Sequence, residues 1–318
     1  MDIQTKLLIF AVDLIGPLIL GYAGRYQRRV GDAFFNKMIL NNIFVVCPMV
    51  SFLSFWVMPL TRELFWMPLL SLLLGFFPGA AAWWLAQRKY RDYREQGAYV
   101  MAASLSNLGV IGGICVYLVY GERGYGYQQI ATLFQYVLMF AFCYPLAQSY
   151  ERQADGRSGK KVSFWSMMFS KKQIAIVGIL LGGALQIAGI PRPEALSGVT
   201  PFFIHLGAWT GLIPVGYSLD LGKVRRYWLS LFDLAVLKFA VAPFLLYGLS
   251  GFFVESSVMR GSLFILAATP TAINAVVAAR LYHLAVDLTV AAFLVTTLLF
   301  LIAVYPALVL FLSHAGLG

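Results

Sequence analysis

An apolar run over residues 263–281 is interrupted in its middle by Thr269-Pro270-Thr271-Ala272-Ile273-Asn274. Proline removes one amide donor and clashes with the carbonyl four residues back. In lipid such a break survives only where protein or a wet cavity satisfies the freed groups. Two threonines and an asparagine flank it, so polar partners are supplied locally. About half a chain earlier, Ser104-Leu105-Ser106-Asn107-Leu108-Gly109-Val110-Ile111-Gly112-Gly113 interrupts another apolar run with glycines and an asparagine. Two interrupted spans in matching places of two halves point to the binding site of a secondary transporter.

A membrane fold is expected, because hydrophobic residues make up 60% of the chain and charged residues 12%. Soluble domains carry roughly a quarter charged residues. Mean hydropathy is +0.77. The net charge of +10 does not imply nucleic acid as a partner, since the basic residues sit in short loops between apolar spans. Cys47, Cys115 and Cys143 lie inside spans without zinc-like spacing and read as small buried hydrophobes. No cofactor is expected. No cationic leader precedes the first span, so no cleaved signal peptide is expected.

Ten spans can be drawn, over 7–22, 38–60, 64–85, 99–120, 127–147, 173–190, 200–219, 228–252, 262–281 and 288–312. The polar stretch 148–172 divides the chain, giving repeats over 1–149 and 173–318 around a linker at 150–172. The loops after the odd-numbered spans hold eighteen basic residues, the other side five. The positive-inside rule then places the eighteen in the cytoplasm and both termini outside the cell or inner membrane. Tryptophans and tyrosines near span ends fit an interfacial belt.

Landmarks recur between the halves: Tyr144-Pro145 with Tyr305-Pro306, Tyr120 with Tyr282, Pro78 with Pro243, and Pro48 with Pro214. Five spans per half is an odd number, so the second half inserts inverted. The expected fold is an all-α polytopic membrane protein with a five-plus-five inverted repeat.

At the breaks, half-helix N-termini present free amides and partial positive charge, which suits an anion. Asn107, Thr269, Thr271 and Asn274 either donate to a carboxylate there or cap the broken backbone beside Pro270. Gly109, Gly112 and Gly113 leave backbone open to ligand, serve close helix packing, or both. Lys238 is the one cation well inside a span, and three roles fit it: compensation of negative helix ends, contact with substrate, or snorkelling beside Asp233. Asp13 is the one acid well inside a span, and no acid sits at the breaks, which favours an anionic or neutral substrate. His205 reads as structural rather than as a proton relay. A membrane enzyme would need a nucleophile with its base or a ligand cluster, and neither pattern is present. A channel and a non-transporting receptor or sensor stay open as alternatives.

The segments around Gly21-Tyr22, 35–40, Pro48, 107–121 and 269–282 together resemble the auxin efflux carrier family, in particular its bacterial organic-anion or malonate permeases. The resemblance covers essentially the whole chain; its motifs are loose and their order carries it. It implies the fold of sodium–proton antiporters and bile-acid symporters. Spans one, two, six and seven would then form a scaffold, the others a transport core, with broken helices four and nine crossing at mid-membrane. A sodium-coupled carrier like the bile-acid symporters is the alternative. The resemblance also implies a homodimer, a site glutamine at Gln135, and Asn42, Gln186 and Tyr217 on the facing scaffold wall, each of which equally suits interhelical hydrogen bonding. The sequence departs from plant carriers in having Ile114 and Ala275 where those have crossing prolines, and no ionisable pair on the third span.

Overall fold

The computed structural model describes residues 3–25, 31–155, 174–218 and 227–314, and every regular element among them is helical. The helices are α1 (3–24), α2 (32–56), α3 (Met67–Lys89), α4 (Tyr93–Ser104), α5 (108–120), α6 (122–155), α7 (Ala175–Ile187), α8 (Val199–Ser218), α9 (232–250), α10 (Ser257–Ala267), α11 (Ile273–Leu281) and α12 (286–314). Gly121, at φ 64° and ψ −155°, ends α5 and reverses the chain into α6. Among the described residues, six helices are long and apolar enough to cross a membrane, and shorter apolar helices lie at Leu8–Gly24, Ala175–Ile187 and Ser257–Ala267.

Five of the prolines shape these helices by one mechanism. Pro17, Pro48, Pro145, Pro243 and Pro306 each stand two residues after a five-residue π turn, at Ala11–Ile15, Asn42–Val46, Met139–Cys143, Leu237–Val241 and Phe300–Val304. A proline cannot donate, so the helix widens ahead of it. The preceding residue then bonds five residues back: Gly16 N–H to Ala11 O, Cys47 N–H to Asn42 O, Tyr144 N–H to Met139 O. Asp13, Asn42 and Lys238, three polar residues inside apolar helices, all lie in these turns.

Helices α1, α2, α7 and α8 pack together as one group, α8 against α1 and α2, and α7 against α2. Glycine permits the closest approaches. A Cβ on Gly21 would lie 2.0 Å from Ile213 O and 2.8 Å from Tyr217 N. A Cβ on Gly182 would lie 2.2 Å from Phe52 O and 3.0 Å from Trp56 N. The two contacts correspond residue by residue at a constant separation of 161, so the α1–α8 crossing is remade as α7–α2.

The remaining helices form the second group. One apolar cluster fills its half around α4, the end of α6, α11 and the start of α12, with Tyr99, Leu105, Ala147, Ala275 and Leu288 fully buried. The other cluster runs through both groups at the opposite end, joining Leu14, Val50 and Leu212 to Ile114, Leu263 and Phe300. The expected fifth span ends at residue 147, but α6 continues to Asp155, because Tyr150 and Glu151 are buried and Arg94 pairs with Asp155. Helices α4 and α10 likewise begin about a turn and a half before the expected spans, at Tyr93 and Ser257. The rest of the expected linker, both chain ends, and the loop residues Arg28, Arg29, Arg157, Lys160, Lys161, Lys171, Lys172, Lys223, Arg225 and Arg226 lie outside the described residues.

Gly21→Leu and Gly182→Leu should each destabilise the protein by about 1–3 kcal/mol through overpacking. Gly183→Ala, whose Cβ meets nothing within 4 Å, is the control. Thermal unfolding in detergent reads this; equal midpoints for all three would contradict the packing account.

Candidate functional site

The chain between α4 and α5, and that between α10 and α11, cross as two extended strands of a few residues. Asn107 N–H donates to Pro270 O at 2.8 Å and Ala272 N–H to Leu105 O at 2.8 Å, closing an antiparallel bridge between Ser106 and Thr271. Pro270 has no N–H to offer, so its carbonyl alone enters the pairing.

Buried helix ends leave carbonyls that need partners, and here side chains supply them. At the end of α4, Thr271 Oγ1 donates to Ala102 O at 2.8 Å, and Lys238 Nζ to Ala103 O at 3.1 Å and Ser106 Oγ at 2.7 Å. Gln135 Nε2 donates to Ser106 O at 2.6 Å. On the other strand, Thr296 Oγ1 accepts from Thr271 N–H at 3.0 Å, and Thr269 Oγ1 donates to Leu266 O at 2.7 Å. Gln135 and Thr296, again 161 residues apart, thus brace the two breaks from α6 and α12. Lys238 is 1% exposed, and its hydrogen bonds go to the end of α4 and to Ser106.

Beside the crossing lies a cavity of about 790 Å³ between the two helix groups. Asn107, Gly109, Asn274 and Ile273 line it from the crossing; Asn42, Ile204, Gly207 and Gly211 line it from the facing wall. Helices α5 and α11 both begin here. The Asn107 side-chain oxygen accepts from Ile111 N–H at 3.4 Å and its backbone oxygen from Gly112 N–H at 2.9 Å, leaving Nδ2 to the cavity. Gly109 is exposed, and a Cβ there would meet nothing within 4 Å. Asn274 is half-buried and makes no side-chain hydrogen bond with the described protein.

The cavity does not collect all the expected residues. Asn42 lines it, but its Nδ2 donates to Gly207 O at 2.8 Å and Thr210 Oγ1 at 2.6 Å, joining α2 to α8. Tyr217 lines it and stacks on Phe35 at 4.0 Å. Gln135, Thr269, Pro270, Thr271 and Lys238 lie behind the crossing and hold backbone. Gly112 and Gly113 pack closely instead, against Leu266 and Tyr125. Gln186 sits near the end of α7, away from the cavity. Sequence reasoning missed Gln128, Gln129, Thr132 and Arg280, which also line the cavity. A polar run at i, i+1 and i+4 on apolar α6 was the available signal for the first three. Arg280 is the only charged residue among the described lining.

These are the features of a polytopic helical membrane protein with a polar site at two broken helices. A family model described as "Membrane transport protein" matches residues 12–306. The chain belongs to that family, the auxin efflux carrier family, and is a membrane transporter. No curated protein sequence matches it.

Lys238→Met should lower the melting temperature, since each orphaned buried acceptor costs about 1–3 kcal/mol. An unchanged melting temperature would show that Lys238 does not hold the end of α4.

Proposed function

We propose that this protein carries a small organic anion, a carboxylate such as malonate, malate or an auxin-like acid, across the cell inner membrane by alternating access. The observation that carries the reading is the cavity at the crossing, where two half-helix N-termini open and Arg280 is the one charge among the described lining residues. The amides at Gly109 and Asn274 and the free Asn107 Nδ2 are all donors, and helix N-termini favour anions. No carboxylate lines the cavity among the described residues, and its one charged residue there is the cation Arg280.

The inverted repeat of ten spans is part of the same proposal. It is supported by the matching glycine crossings and by the π turns at Met139–Cys143 and Phe300–Val304, which stand at the same separation of 161. On this reading α1, α2, α7 and α8 are the scaffold, both termini are extracytoplasmic, and dimerisation is through the scaffold.

The cavity mouth is marked by Phe35, Asn36, Ala175, Tyr217 and Arg280, all at the helix ends that this orientation puts in the cytoplasm. The opposite seam is shut. There Arg192 donates to both carboxylate oxygens of Glu122, at 2.7 and 3.3 Å, to Thr200 Oγ1 at 3.0 Å and to Leu53 O at 3.2 Å. The conformation therefore reads as open to the cytoplasm, and transport requires the core to slide until this seam parts and the cytoplasmic one closes.

Hydrogen bonds to a charged group contribute about 1.5–3 kcal/mol each. Asn107→Ala and Asn274→Ala should each weaken anion binding about tenfold to a hundredfold. A thermal-shift screen of small carboxylates on the purified protein identifies the ligand, and calorimetry on the variants measures the loss. Wild-type affinity in both would rule out this site.

Parting of the outer seam has its own test. Glu122→Gln should raise the labelling rate of a cysteine placed at Ile114 by an impermeant reagent added outside. An unchanged rate would mean that the ion pair does not hold the seam.

A further inference from the structure

One ionisable cluster inside the helices is not part of the cavity. Asp13, in the proline-induced π turn of α1, is 6% exposed. Its carboxylate meets two side chains of α8: His205 Nδ1 lies 2.5 Å from Oδ2, and Trp209 Nε1 donates to Oδ1 at 2.8 Å. No lysine or arginine is a partner of Asp13 among the described residues. The other titratable groups around the pair come from α12 and α5. Tyr305 of α12 donates to Cys115 O, and its ring stacks on Phe10 of α1. Cys115 and Tyr117 belong to α5, and Tyr117 meets the His205 ring edge-on at 5.8 Å. Glu122, at the start of α6, is paired with Arg192. A carboxylate inside an apolar span without a cation is unfavourable and marks a functional position. Imidazole is the side chain whose charge changes in the physiological pH range, so it supplies the compensating charge conditionally.

Placement gives the pair a task. Ile204 and Ala208, on either side of His205, line the deep end of the cavity, as does Ile114, one turn before Tyr117. The pair therefore sits where α8 meets α5, between the closed end of the cavity and the Glu122–Arg192 seam. His205 Nε2 has no hydrogen bond within the described protein, and Tyr117 belongs to the opposing helix group.

We propose that Asp13 and His205 form a proton-binding site that couples the position of the core to protonation, so that a proton gradient drives anion movement. The proposal rests on the alternating-access reading. A proton from water adds to Nε2 of the half-buried His205, and imidazole with carboxylate becomes imidazolium with carboxylate, so the pair goes from one negative charge to none. When the core slides, Tyr117 leaves the ring, and the proton returns from Nε2 to water on the other side.

The first test needs no anion. Trp209 emission, taken as wild type minus Trp209→Phe in purified protein, is followed from about pH 8 to about pH 5. An imidazolium beside the indole quenches it, so a sigmoidal loss is expected, absent in His205→Gln that remains monodisperse. A flat wild-type titration overturns the proposal without reliance on any variant that could misfold, and so does the same sigmoid in His205→Gln. The second test is radiolabelled malonate uptake into proteoliposomes. One pH unit, acid outside, should raise wild-type accumulation up to about tenfold for one proton carried per anion. That response should vanish in Asp13→Asn. Wild-type uptake indifferent to the gradient overturns the coupling. Absence of any malonate uptake counts against the anion proposed above, and the emission titration then decides the proton site by itself.

Discussion

Two backbone hydrogen bonds, Asn107 N–H to Pro270 O and Ala272 N–H to Leu105 O, make the interior of this protein tenable. Breaking a helix in lipid exposes donors and acceptors that water cannot reach, each unfavourable by several kcal/mol if unpaired. Crossing two breaks lets each satisfy the other in part. The remainder falls to side chains that approach from behind: Thr271, Lys238, Gln135 and Thr296. What these residues leave unsatisfied is selective. The carbonyl ends of α4 and α10 are closed off by side chains, while the amide ends of α5 and α11 open on the cavity.

Proline acts twice in this chain, in physically different ways. At Pro270 it terminates a helix and contributes only a carbonyl to the crossing. At Pro17, Pro48 and Pro243 it widens the helix ahead of it by one residue, and the widened turns hold Asp13, Asn42 and Lys238. A π turn rotates the side chains that follow it relative to a regular helix. A polar residue in an apolar span can then face a neighbouring helix rather than lipid, as Asn42 does toward Gly207 and Lys238 toward Ala103.

The breaks, the apolar spans and the isolation of Lys238 were legible because each is a local property of the sequence. Much of the site was not, because it depends on which face of a helix meets which neighbour. Arg280 counted as one more loop charge, yet α11 is short enough that its last turn still lines the cavity. Gln135 looked like a ligand contact and instead bonds the Ser106 carbonyl from behind. Gln128, Gln129 and Thr132 were passed over because α6 is apolar overall. Asp13 and His205 are 192 residues apart, and only the α1–α8 crossing, set by Gly21 and Gly216, brings them together.

Contacts within a helix group and contacts between the groups differ in what the proposed motion would ask of them. The Gly21–Ile213 and Gly182–Phe52 contacts lie within α1, α2, α7 and α8, at backbone separations too short for sliding, so on that reading the group moves as one body. The contacts that cross to the core at the shut end are made by side chains: the Arg192–Glu122 ion pair, the Ser51–Gln129 hydrogen bond, the Phe10–Tyr305 stack, the Tyr117 edge on His205, and apolar packing. A ring-edge contact contributes about 0.5–1.5 kcal/mol, whereas the largely buried Arg192–Glu122 pair leaves an uncompensated charge if one partner is removed. Apolar packing is non-directional and is remade in a new register as the surfaces slide. On the proposed alternating-access reading, the glycine-interlocked group is the wall, and the core meets it through separable side-chain contacts, among them the Tyr117 edge on His205, which the proposed proton site would alter.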